Sequence, residues 1–273
     1  ITVLALKIVG NSKNESSNPS ASPPTIPDKK HQMTRSQSIT YTITSISGKS
    51  VSEYQTPQSR ALAWVIDDDP MQVNPTDSLT LIQRYILMVM YYSMRGEDWA
   101  SNNGFGGGDD VCAWYGVNCT AEGDVTSLDW GYNNMVGVLP PEVGSLTDLR
   151  YFHFGGNQIG GTLPESLGEC TYLTSLEGGN NLLEGPIPLP FQKLVNLKTV
   201  NLSNNKLTGS LPTDIISLPL LTELSLQSNN LVGAPLSSLE TVCIATNIVS
   251  LDLSSNQFTG TITPMMGCMK QLT

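Results

Sequence analysis

Cationic side chains are scarce in this chain: 14 lysines and arginines stand against 24 aspartates and glutamates in 273 residues, a formal net charge of −10. The balance is +3 over residues 1–58, −7 over 59–124 and −6 over 125–273. An acidic surface on the last two segments repels phosphate backbones and anionic headgroups, so nucleic acid and charged membranes make poor partners. Long apolar runs are missing too. Ile1–Val9 is too short to span a bilayer and contains Lys7, so no membrane span is expected here. Gly106-Gly-Gly108 lacks the strand-to-helix setting and the Lys-Ser/Thr ending of a phosphate cradle. Asp67-Asp-Asp69 and Asp109-Asp110 lack the spaced carboxylates and distal glutamate of a calcium loop, and read as solvated charge. No cofactor and no metal is expected.

What the chain has instead is a period. Asn133, Asn157, Asn181, Asn205 and Asn229 recur every 24 residues, and Asn256 follows after 27. Gly137, Gly161, Gly185, Gly209, Gly233 and Gly260 each trail an asparagine by four. Apolar residues precede it by eight, five and three, from Val125, Leu128 and Trp130 to Ile248, Leu251 and Leu253. A fixed period of this length signals a solenoid of stacked strand-and-turn units. In Leu197–Pro212, Val200 and Leu202 alternate with polar neighbours, which predicts a strand buried on one face. Asn205 then closes the strand, because an amide both donates to and accepts from the backbone of adjacent turns. Two units depart from the pattern: Gly178 stands where leucine is expected, and Cys170 takes a leucine slot. The fifth unit has three extra residues between Gly233 and Ile248, with Pro235 one position early, which predicts a local bulge.

The pattern LxxLxLxxNxLxGxLP/IP in Val125–Pro140, Leu149–Pro164, Leu173–Pro188 and Leu197–Pro212 resembles the plant-type leucine-rich-repeat family. Cys112-Ala-Trp114-Tyr-Gly116-Val117-Asn-Cys119 is similar to that family's CxWxGVxC N-terminal cap. Together they cover about 100–273. The resemblance, to receptor ectodomains and secreted inhibitor-like proteins including algal relatives, implies an α/β-type repeat solenoid. That fold is a curved right-handed superhelix with a parallel concave sheet and a helical N-terminal cap. It also implies ligand recognition on the concave face rather than catalysis. Within such a cap, Cys112 and Cys119 read as a disulfide, since zinc would need two further ligands, and a bridge implies an oxidising compartment. Cys170 reads as a buried leucine substitute. Cys243 and Cys268 lie about one repeat apart, so neighbouring turns bring them together unless the inserted residues shift the register. Asn14, Asn118 and Asn201 match the glycosylation acceptor pattern. Asn14 is the most usable, because Asn118 adjoins a cap cysteine and Asn201 lies on the ligand face.

Three segments follow: 1–58, a mostly disordered Ser/Pro/Asn-rich tail and possible stump of a signal or anchor segment; 59–124, a helical cap; and 125–273, six repeats with a seventh truncated. Within the tail, the alternation of Ile39, Tyr41 and Ile43 with threonines reads as weakly held extended chain. A short helix is expected over Ser59–Asp67, and a longer one from a cap at Thr76 or Asp77 to about Met94. Glycine-rich Arg95–Asp110 is expected to loop out. Beginning without methionine and ending where a seventh unit starts, the sequence reads as a piece of a longer protein.

Strand alternation puts three columns on the concave face. They run Ser127, Tyr151, Ser175, Thr199, Glu223, Ser250; then Asp129, His153, Glu177, Asn201, Ser225, Asp252; then Gly131, Gly155, Gly179, Ser203, Gln227, Ser254, with Tyr132 just beyond. The candidate contacts are Asp129, Tyr132, Tyr151, His153, Glu177 and Asn201, the glycines leaving room for a ligand backbone or sugar ring. Asp129, His153 and Glu177 read as a solvated column with a pH-sensitive histidine, a ligand patch, or an acid–base or metal centre. No catalytic residue is assigned, because an open sheet neither excludes water nor supplies an obvious nucleophile. The expectation is a non-enzymatic module, extracellular or at the cell surface, binding a peptide, protein or glycan. A structural or adhesive repeat protein without a defined ligand is the alternative. Oligomeric state is not legible.

Overall fold

The computed structural model describes residues 33–234 and 247–260. The tail before Met33, with Asn14, the inserted residues of the fifth unit with Pro235, Cys243, Cys268 and the truncated seventh unit lie outside them.

The cap begins with α1 (Arg35–Ser47), where extended chain was expected. Thr34 caps it, in a reciprocal box with Gln37. The correction has a simple cause. Ile39, Ile43 and Ile46 satisfy a period of two only in part, but they sit at i, i+4 and i+7 of one helical face, and Ile39 and Ile43 are fully buried. The Arg35 guanidinium donates to the carbonyls of Val65, Ile66 and Val73, tying α1 to the segment after it. Next come α2 (Pro57–Ala63), capped by Thr56, and a π-helical turn over Trp64–Asp68. α3 (Ser78–Ser93) follows, its first turn satisfied by the Asp77 carboxylate. Its Leu81, Tyr85, Leu87, Val89 and Met90 are all buried, because other cap elements cover one side and the first repeat another.

Arg84 on α3 is fully enclosed. Its Nε donates to Asp69 Oδ2 at 2.9 Å, and its terminal nitrogens donate to Asp69 Oδ1 and to the carbonyls of Gly107 and Asp109. Trp64 and Trp114 lie 5.2 and 5.1 Å from the guanidinium carbon. Asp69 is therefore a buried counter-ion, not solvated charge. The glycine-rich loop does not project either. Arg84 holds its carbonyls, and Phe105 packs between Tyr91, Trp99, Trp114 and Trp130 with centroids 4.9–5.9 Å apart. Phe105 and Trp99 of the same stretch supply the apolar anchor that its glycines do not suggest.

Chain order in the repeats is β1 (Val117–Cys119), β2 (Val125–Asp129), β3 (Val136–Val138), β4 (Tyr151–His153), β5 (Gln158–Gly160), β6 (Ser175–Glu177) and β7 (Glu184–Gly185). It continues with β8 (Thr199–Asn201), β9 (Lys206–Leu207), β10 (Glu223–Ser225), β11 (Val232–Gly233), β12 (Ser250–Asp252) and β13 (Gln257–Phe258). One seven-stranded sheet runs β1-β2-β4-β6-β8-β10-β12. β1 is antiparallel to β2 and every other pair is parallel. Short parallel ribbons β3–β5, β7–β9 and β11–β13 form just beyond the asparagines. The chain returns through 3-10 turns at Pro141–Ser145, Glu165–Glu169 and Leu189–Lys193, and through α4 (Thr213–Ile216). Leu128, Phe152, Leu176, Val200 and Leu224 point from the sheet into the shared interior.

The asparagines form a single file. Asn157 Oδ1 accepts from the N–H groups of Asn133 and Met135, and its Nδ2 donates to the carbonyls of Trp130 and Phe154. Asn181, Asn205, Asn229 and Asn256 repeat the arrangement, accepting from Ile159, Leu183, Leu207 and Leu231 of the preceding unit. Asn133 has no unit before it and bonds Ser101 of the cap in both directions. Gly178 has an explanation as well. A Cβ there would collide with the Phe154 ring, which fills the volume that leucine takes in later units. Cys170 is buried, and its thiol lies against the carbonyls of Val143 and Leu146.

Candidate functional site

Strand register brings the columns together as the alternation requires. Ser127, Tyr151, Ser175, Thr199, Glu223 and Ser250 are successive partners, as are Asp129, His153, Glu177, Asn201, Ser225 and Asp252. His153 is the hub of the N-terminal half. Its Nδ1 lies 2.9 Å from Asp129 Oδ1, in a pair whose side chains are 22% and 55% exposed. The Tyr132 and Tyr151 rings meet it edge-on, at 6.4 and 6.2 Å between centroids.

Glu177 is the strand partner of His153, but its Oε1 accepts from the Ser175 hydroxyl at 2.9 Å. The imidazole is thus hydrogen-bonded to one carboxylate, not shared between two. Asn201 closes its own turn, its Oδ1 accepting from the N–H and hydroxyl of Ser203, so it stands apart from the histidine group. The glycines do not leave open room. The His153 ring occupies the place of a Gly131 side chain, the Tyr132 ring that of Gly156, and Asn201 Oδ1 crowds Gly179. The space belongs to side chains of neighbouring repeats.

Tyr132, already a candidate contact, has a backbone conformation that the sequence alone does not single out. Its φ is 54°, left-handed, and the equivalent position is left-handed in every described unit: Gly156, Asn180, Asn204, Ser228 and Ser255. The turn demands this conformation, which glycine and asparagine adopt readily and a bulky aromatic does not. Tyr132 adopts it while 75% exposed. The Tyr-Gly-Asn-Asn-Ser-Ser column was the available signal. Burial pushes the Tyr151 phenol above its ordinary range, and the carboxylates of Glu177 and Asp129 push it further.

At the cap, Cys112 and Cys119 are joined in a disulfide. Asp110 lies close to both sulfurs, but two sulfurs bonded to each other are not metal ligands, which leaves one carboxylate. Asn118 is exposed on β1, and its strand partner is Ser127 at the head of the first column. Among the described residues, no helix is long and apolar enough to cross a membrane.

These features define a leucine-rich-repeat solenoid with a cysteine-bridged cap and a polar, aromatic-flanked sheet face. The Leucine Rich Repeat family model matches residues 148–170, 196–218 and 247–269. Leucine-rich repeat extensin-like protein 2 of Arabidopsis thaliana is 31% identical over 97 residues, 32% of this chain and 12% of that protein. The Arabidopsis receptor kinase HAESA, solved with the peptide hormone IDA and the co-receptor SERK1, is similar with a TM-score of 0.60 at 31% identity. The match covers 69% of this chain and 32% of that one. A chain of the BIR3–SERK2 complex of Arabidopsis thaliana matches with a TM-score of 0.53 at 27% identity, over 64% of this chain and 94% of that chain. The chain thus folds as leucine-rich repeats and is similar to plant receptor ectodomains. It spans about a third of the HAESA chain and a far smaller share of the extensin-like protein.

Proposed function

We propose that this chain is a non-enzymatic recognition module, extracellular or at the cell surface, that binds a peptide or protein on the open face of its sheet. The contact centres on Tyr132, Tyr151, His153 and Asp129, with Glu177 at its margin and Asn201 further along. The observation that carries the reading is Tyr132. A large exposed aromatic held in a left-handed turn opposes folding, and such strain persists where a surface is used. The fold's likeness to HAESA, whose solved complex contains a peptide hormone, supports a peptide or protein over a glycan. The extensin-like relative favours a second reading, a structural or adhesive repeat protein without a defined ligand.

A displayed library of random dodecapeptides separates the two. Peptides selected on the full chain should lose at least tenfold in affinity for a Tyr132→Ala, Tyr151→Ala variant that retains the parent's circular dichroism. Selection of no peptide that depends on these two tyrosines would leave the structural reading standing.

A further inference from the structure

The open face is devoid of fixed cations. None of the eighteen residues in its three columns is lysine or arginine, whereas Asp129, Glu177, Glu223 and Asp252 are carboxylates. Of the cations near the sheet, Lys193 points away from it and pairs with Glu169 at 2.7 Å, Arg150 lies over the Tyr172 ring, and Lys198 is exposed just before β8, outside the three columns. Asp129 and Glu177 each have one oxygen engaged, by His153 and Ser175 respectively. Apart from His153, neither has an ionic partner among the described residues. Two phenol rings flank the pair.

We infer that the ligand is a basic peptide or protein segment, with a lysine or arginine side chain seated over the His153 hub, between the Asp129 and Glu177 carboxylates and against the faces of Tyr132 and Tyr151. This rests on the recognition reading and narrows it to one ligand chemistry. A cation there gains charge-assisted hydrogen bonds from the free carboxylate oxygens and quadrupole attraction from the phenol rings. An acidic peptide meets like charge at these carboxylates, which opposes binding and slows encounter. Burial raises the Tyr151 phenol first, and the two carboxylates add to it with no cation offsetting them, which fits this account. The left-handed Tyr132 is independent of charge and marks the same spot.

The test uses the full chain and three dodecapeptide libraries, one rich in lysine and arginine, one uncharged and one rich in aspartate and glutamate. Binders that depend on Tyr132 and Tyr151 should come from the basic library and weaken between 50 and 300 mM NaCl. Replacing Asp129→Asn together with Glu177→Gln should weaken them about tenfold. Glu165→Gln with Glu169→Gln, away from the sheet, should leave them unchanged. Tyrosine-dependent binders that are uncharged or acidic, or that ignore the Asp129 and Glu177 substitutions, overturn the inference while the recognition reading survives. Basic binders weakened equally by the Glu165 and Glu169 changes also overturn it, as unspecific attraction. No tyrosine-dependent binder in any library ends both.

Discussion

A left-handed tyrosine and an enclosed arginine set the terms at the scale of single residues. Tyr132 occupies a turn where glycine or asparagine is at ease. Tyr132→Asn should therefore raise stability, by about 0.5–1 kcal/mol in urea unfolding. The same change should weaken any ligand of the open face, so stability and recognition move in opposite directions. A loss of stability instead would show that the ring's packing over Gly156 and His153 outweighs the backbone strain. Arg84 illustrates what single-sequence reading misses. It and Asp69 are fifteen residues apart in no motif, and only the fold reveals that one neutralises the other between two tryptophans.

Fit between neighbouring units governs the next scale. Phe154 and Gly178 are a matched pair, large against small in adjacent coils. Gly178→Ala should cost about 1–3 kcal/mol by overpacking. Phe154→Leu in the same chain should recover part of that, giving a non-zero coupling in a double-mutant cycle by denaturant unfolding. Additive effects would show that the two side chains do not compete for the same volume. The repeats were readable because each apolar position, asparagine and glycine is tested six times over, so one departure such as Gly178 stands out. The columns of the sheet face followed from the same alternation. The cap has no internal copies. The isoleucines of α1 fit two periods, and Trp99 and Phe105 are scattered anchors in a glycine-rich stretch, so only packing chooses between the options. Within the site, register was legible from the sequence. Side-chain direction was not: Glu177 turns to Ser175, and Asn201 to Ser203.

At the scale of the whole molecule, enclosed acidic groups make the fold sensitive to base. Burial raises the Cys170 thiol from its ordinary value of 9.0 to about 12, and raises the Tyr85 phenol as well. Both lose a proton more readily when unfolded. The folded state therefore binds more protons in this range, and stability falls as pH rises. The Cys170 contribution is fully present below pH 9 and is lost between pH 9 and about 12. A Cys170→Leu variant should show a shallower decline of thermal midpoint from pH 8.5 to 10.5 than the parent. Equal slopes would mean that the thiol is not shielded in the folded state.

The file of asparagines has a direction. Each side chain completes the backbone of the unit before it, so the first is anchored on Ser101 while every later one serves its predecessor. Removing any later unit would strand amide groups on the coil before it, whereas the first coil is closed by Ser101. The dependence therefore runs one way along the described repeats, each coil relying on the one that follows it.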